Sequence, residues 1–151
     1  MNIDITVAEV KLQTEKITVF LKKYLLAFKR YDLNKVVACY YLPCVLHTPD
    51  QIVLLRNDKA CQQELTNIFN QLQQAKTSDI IASNTSYSVV TDNVFIVNVD
   101  WKFLDEHGEI FTDFCTIYHL ILIDNKLKIM SVVSHELSNS QSFDYPFMLT
   151  D

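Results

Sequence analysis

Residues 80–135, IIASNTSYSVVTDNVFIVNVDWKFLDEHGEIFTDFCTIYHLILIDNKLKIMSVVSH, decide the fold. Four runs within them are rich in β-branched and aromatic residues: Ile80 to Thr91, Val94 to Leu104, Glu109 to Ile123 and Lys126 to His135. Residues of that kind fit a pleated, half-buried strand. The runs are joined by Asp92-Asn93, Asp105-Glu106-His107-Gly108 and Asp124-Asn125, which are hairpin turns. The chain holds one glycine, so asparagine must supply the left-handed turn positions, which it tolerates better than most residues. Successive hairpins make an antiparallel meander, and strands this long twist too strongly to stay flat.

The residues before this meander carry a helical period. Thr6 and Glu9 form a capping box. From Val10 onward Ile17, Phe20, Leu21, Tyr24, Leu25 and Phe28 keep the i, i+3, i+4 spacing of one buried stripe. Tyr31-Asp32 ends that helix, and Asp32 caps a short second one, Leu33 to Tyr41, which buries Val36, Val37 and Tyr40 and is stopped by Pro43. Cys44 to Thr48 reads as a brief strand, turned by Pro49-Asp50-Gln51 into Ile52 to Leu55. Asn57 or Asp58 caps a third helix with the stripe Cys61, Leu65, Ile68, Phe69 and Leu72. The expected architecture is therefore α+β: a cone-shaped, curved antiparallel sheet with three N-terminal helices packed on its concave face. One domain spans residues 1–151, with a core of about 8–136. The tail, 137–151, is either loose or docks Phe143, Tyr145, Pro146 and Phe147 on the sheet.

Composition narrows the function classes. In 151 residues, 49% are hydrophobic and 21% charged, which is globular and excludes a disordered chain. The net charge is −5 and the densest basic cluster, Lys22, Lys23, Lys29 and Arg30, alternates with apolar residues as a solvated helix face does. A nucleic-acid partner is not expected. No apolar run is long enough to cross a bilayer, and MNIDITVAEVKLQTEK is too often interrupted by charge to be an export signal. Cys39, Cys44, Cys61 and Cys115 sit in patterned segments, which suits reduced thiols in a cytoplasmic protein. His47, His107, His119 and His135 show no metal-ligand spacing, so no metal is expected. There is no glycine-rich phosphate loop, and no cofactor is implied.

The segment KYLLAFKRYDLNKVVACYYLPCVLHTPD, Lys22 to Asp50, followed by VNVDWKFLDEHGEIFTDFCTIYHL and KLKIMSVVSHE, resembles the nuclear-transport-factor-2-like superfamily. That superfamily includes ketosteroid isomerases and SnoaL-like polyketide cyclases, and the resemblance runs over about residues 8–136. It implies a cone with a pocket at its wide end. The isomerases use a tyrosine late in the first helix as an oxyanion donor, and Tyr24 is in the similar place. Their general base is an aspartate directly before a proline. Here Thr48 precedes Pro49, and a threonine hydroxyl is no base near neutral pH. Their second oxyanion donor, on the long third meander strand, aligns with Tyr118.

Pocket candidates are thus Tyr24, Thr48, Tyr118, Trp101 and Asp100, each with a plainer reading beside it. Tyr24 fits a core stripe as well as a ligand contact. Tyr118 needs a polar partner if buried, whether ligand or protein. Trp101 alternates with Phe95, Val97, Val99 and Phe103, which suits core, sheet interface or pocket wall. Asp100 lies opposite Trp101, either as a surface charge paired with Lys102 or, on a concave face, as a general acid or base. Strand Glu109 to Ile123 is apolar on both faces, with Phe114, Thr116, Tyr118, Leu120 and Leu122 on one and Phe111, Cys115, Ile117, Ile121 and Ile123 on the other. Helices can cover only one of them, so the outer face is expected to form a homodimer. Two functions fit. One is a SnoaL-like pocket domain for a small apolar carbonyl or phenolic compound, including a cofactor-free isomerase, cyclase or hydrolase. The other is a non-catalytic dimerisation or protein-interaction module of the same fold.

Overall fold

A computed structural model of the chain describes residues 6–149. The first five residues of the segment read as lacking an export signal, and the last two of the tail, lie outside this range. The Thr6 hydroxyl accepts the Glu9 N–H at 3.1 Å and the Glu9 carboxylate accepts the Thr6 N–H, so the capping box starts α1, Val7–Lys29. This helix buries Ile17, Leu21, Tyr24, Leu25 and Ala27. Tyr31 turns the chain with a left-handed φ of 53°, and Asp32 caps α2, Leu33–Val37. The second helix is shorter than its sequence pattern suggested. Residues 36–41, VVACYY, are weak helix formers, and the chain opens into β1, Tyr40–His47, instead. Pro43 does not stop a helix; it sits inside β1, where pairing skips from Tyr40–Ile129 to Val45–Ser131. Such a bulge tolerates a residue with no N–H to donate. Then follow β2, Ile52–Leu55, and α3, Asp58–Gln74, capped by Asn57.

The meander forms as expected from β3, Asp79–Thr91, β4, Val94–Leu104, β5, Ile110–Ile123, and β6, Lys126–His135. Asp124 and Asn125, both with positive φ, make the last hairpin turn. With β7, Tyr145–Pro146, the strands form one curved, unclosed sheet in the order β2-β1-β6-β5-β4-β3-β7. It is mixed rather than wholly antiparallel, because β1 runs parallel to β6. The chain reaches β6 from β1 through α3 and the rest of the meander, a connection long enough to bring two strands together in the same direction.

Alternation sorts the side chains. Phe95, Val97, Val99, Trp101 and Phe103 of β4 face the helices, opposite Leu120, Tyr118, Thr116, Phe114 and Thr112 of β5. From β3, Tyr87 joins them and bonds the Thr14 hydroxyl of α1 at 2.7 Å. A bulge between Phe103 and Leu104 shifts the register at the start of β5. It brings the Phe111 ring against Phe103, at 6.2 Å between centroids, so Phe111 does not join the outer set.

The tail is docked, and on both sides of the sheet edge. After a turn of 3-10 helix, Leu137–Asn139, it crosses the convex side of β4 and β3. There Asn98 accepts the Gln141 N–H at 3.0 Å, and the Ser86 and Ser88 hydroxyls accept the N–H groups of Phe143 and Asp144. β7 then pairs with the edge of β3, and Phe147 reaches the Tyr87 ring beyond it.

Candidate functional site

Between the wide end of the sheet, α1, α3 and the β1–β2 turn lies an open cavity of about 680 Å³. Its floor comes from four elements. α1 supplies Tyr24, and β1 supplies Tyr40 once α2 has ended early. β5 supplies Tyr118, beside Trp101 of β4. All four are buried. The Tyr24 and Tyr40 hydroxyls lie 2.5 Å apart, and the Trp101 Nε1–H donates to the Tyr118 hydroxyl at 3.1 Å. The rings of Tyr24 and Tyr118 meet edge to face with centroids 6.1 Å apart.

Burial pushes all three phenols up. For Tyr24 the nearby Tyr40 and Tyr118 add to that effect, whereas the neighbouring polar groups of Trp101, Thr116 and Tyr24 only partly oppose it at Tyr118. Tyr40 is held well above 10 as well, with burial again the main cause. At neutral pH the floor is therefore a set of uncharged hydroxyls. The Tyr24–Tyr40 bond uses one phenol proton and Tyr118 accepts from Trp101, which leaves phenol protons free for a ligand oxygen.

The sequence candidates divide on inspection. Tyr24, Tyr118 and Trp101 share the floor, and Thr48 lines the mouth. The Thr48 hydroxyl is engaged in its own turn, donating to the Gln51 carbonyl and accepting the Gln51 N–H, each at 3.2 Å. Asp100 is outside the cavity. It faces the convex side, where its carboxylate accepts from Ser140 at 2.6 Å, Asn98 at 3.2 Å and Asn84 at 3.4 Å. It makes no ion pair with Lys102; the partners are those of the tail crossing. Tyr40 is the residue the sequence pattern concealed, because a Tyr40 inside a helix would point elsewhere. The signal that could have revealed it was Pro43, which suits a strand bulge as well as a helix stop.

His135 also borders the cavity, but its Nε2 is shut off from solvent and has no hydrogen-bond partner. Among the described residues no group of histidine, cysteine or carboxylate side chains could hold a metal ion, and no helix is long and apolar enough to cross a membrane.

A family profile described as NTF2-like protein (DUF6841) matches residues 14–137. The chain belongs to that family. Its fold recurs in an NTF2-like protein with a cystatin-like fold from Novosphingobium aromaticivorans, with a TM-score of 0.71 over 91% of this chain and 92% of that one at 9% identity. Aln2 from a Streptomyces species aligns with a TM-score of 0.69 over 88% of this chain and 94% of that one, also at 9% identity. A ketosteroid isomerase-like protein from Erwinia carotovora atroseptica aligns at 0.62 over 83% and 96%, with 14% identity. At such identities the likeness concerns the fold. No curated protein matches the sequence.

Proposed function

We propose that this NTF2-like chain is a small-molecule-binding domain whose cavity takes an apolar ligand with one oxygen function. The observation that carries the reading is the convergence of Tyr24, Tyr40 and Tyr118, from three separate elements, on the floor of a cavity of about 680 Å³. That volume is ordinary for a small-molecule site. Apolar walls would hold the ligand body, and a phenol proton not used within the floor would bond a carbonyl or phenolic oxygen. The SnoaL-like assignment belongs to this reading, supported by the same hydroxyl floor.

Proton-shuttling isomerisation is a poor fit. The position before Pro49 holds a threonine already bonded within its turn, and the one carboxylate weighed as a base, Asp100, faces the other side of the sheet. Double-bond isomerisation of a steroid ketone should be absent or very slow. The four unpaired cysteines support a reducing, cytoplasmic setting.

Trp101 is the only tryptophan, so its emission reports on the cavity. Titration with a compact apolar ketone such as 2-adamantanone should give a saturable change, and Tyr24→Phe or Tyr40→Phe should weaken binding about three- to tenfold, the worth of one neutral hydrogen bond. No saturable response by fluorescence or calorimetry up to millimolar ketone sinks the reading.

A second proposal concerns the outer face. Val45 pairs with Leu54 on the convex side of β1 and β2, and both are exposed, as is Ile52. The tail covers β3, β4 and part of β5, so this apolar face supports a homodimer built on β2, β1, β6 and the free part of β5. The alternative role, a dimerisation or interaction module, rests on that surface.

A further inference from the structure

The outer face of α1 carries a pattern that the fold does not use. Leu12, Val19 and Leu26 follow one another at a spacing of seven and are 54%, 52% and 45% exposed. At 1.5 Å per residue they line up as a ridge about 21 Å long. Single exposed apolar residues are ordinary, but three on one line of one helix are not scattered. Four residues after each comes a cation: Lys16, Lys23 and Arg30. Lys11 and Lys22 flank the ridge on its other side, with Glu15 among them. Among the described residues Lys11, Lys22, Lys23 and Arg30 make no ion pair, and Lys16 bonds the neutral Asn125 at 3.2 Å. Helix formation does not impose the ridge, since lysine or glutamine at the same three positions would suit α1 as well.

We propose that this face of α1 docks an acidic amphipathic helix of a partner protein. An apolar residue at every seventh position, with a charge four places on, is the seam along which two helices pair. Leucines of the incoming helix would sit between Leu12, Val19 and Leu26, and glutamates beside them would meet Lys16, Lys23 and Arg30. A second copy of α1 is the wrong occupant, because its basic row would face this one. A bilayer fits no better, since a ridge one residue wide offers too little apolar surface to enter it. A nucleic acid would reach past α1 onto a chain of net charge −5, whereas a single helix touches the basic stripe alone. The proposal stands apart from the cavity and its ligand.

Two labelled three-heptad peptides test it, alike in their leucine core and flanked by glutamate in one and lysine in the other. At low salt, fluorescence anisotropy should show saturable micromolar binding of the glutamate peptide and about tenfold weaker binding of the lysine peptide. Salt at about 0.5 M should weaken the first several-fold, because exposed charges are screened. Lys23→Glu with Arg30→Glu should reverse the preference, and Val19→Ser with Leu26→Ser should weaken the glutamate peptide about tenfold. All four side chains are exposed, so both variants should keep the parent's thermal midpoint. No binding of the glutamate peptide up to millimolar, or equal binding of the two peptides, overturns the proposal. Two other results also overturn it. Binding to phosphatidylcholine vesicles carrying about 30% phosphatidylserine, not displaced by the glutamate peptide, gives the face to a membrane. A dimer that falls to one chain's mass in Val19→Ser with Leu26→Ser gives it to a second copy.

Discussion

The Tyr118 hydroxyl accepts the Trp101 indole proton inside a cavity floor, and that single bond makes the residue testable. Tyr118→Phe leaves a buried N–H without its partner, a loss of about 1–3 kcal/mol. Urea unfolding should show that loss, and Trp101 emission should shift in the native state because its hydrogen bond is gone. A larger test is alkaline stability. Tyr24, Tyr40 and Tyr118 all have folded-state pKa values raised above the unfolded one by burial. Each therefore contributes fully below the unfolded value of about 10, and that contribution is lost as pH climbs through the folded value. Stability should fall beyond pH 10 with a limiting slope of about 1.4 kcal/mol per pH unit for each phenol. Cys44, pushed up to about 12, and Cys61, to about 11, act in the same direction from about pH 9. Tyr40→Phe should flatten the slope by that one phenol's share; an unchanged slope would show that Tyr40 is not held neutral by the fold. At this scale the resemblance to the isomerases pointed to Tyr24 and Tyr118, and alternation to Trp101. The sequence hid Tyr40, whose direction depends on where α2 stops.

Elements were legible where one period dominates. β4 and β6 occupy Val94–Leu104 and Lys126–His135, the runs their alternation marks out. α2 and β1 were misjudged together, because VVACYY satisfies either period and only pairing with β6 decides between them. The tail's docking was left open by its composition for a physical reason: beside its own Tyr145, Phe147 and Leu149, it is anchored by polar groups of the strands beneath. Asn98, wholly buried, accepts the Gln141 N–H and donates to the Asn84 carbonyl at 3.1 Å, imitating a strand's backbone pairing from a side chain. Asn98→Ala should cost about 1–3 kcal/mol by leaving these partners unpaired. The same variant should make the segment 138–147 the first site of limited proteolysis. If the segment resists cleavage as in the parent, the pairing of β7 with β3 is the stronger anchor and Asn98 is secondary.

Across the whole molecule the sheet has two unlike faces. The concave one is filled by helices except at the cavity, and the convex one is closed by the tail over β3 and β4 but open over β1 and β2. Apolar alternation on both faces of β5 was enough to raise the expectation of a partner. It could not say which part of the outer face stays free, because that depends on where the tail lands. The uncovered part holds Ile52, Val45 and Leu54, with Ile117 and Val133 further across the sheet. His119 lies among them, its Nδ1 bonded to the Ser131 hydroxyl at 2.7 Å, so the patch carries one satisfied polar pair rather than a row of unpaired groups. In the proposed dimer a second copy would supply the same surface by a two-fold axis, which would let each apolar row cover the other. Light scattering at micromolar concentration should give twice the 17.5 kDa chain mass. Val45→Lys with Leu54→Lys places two ammonium groups on a cross-strand pair that is already exposed, so the monomer should still fold and still bind in its cavity. Its mass should drop to that of one chain. A single-chain mass for the unmodified protein would reject the dimer, and an unaltered dimer in the double variant would move the interface away from β1 and β2.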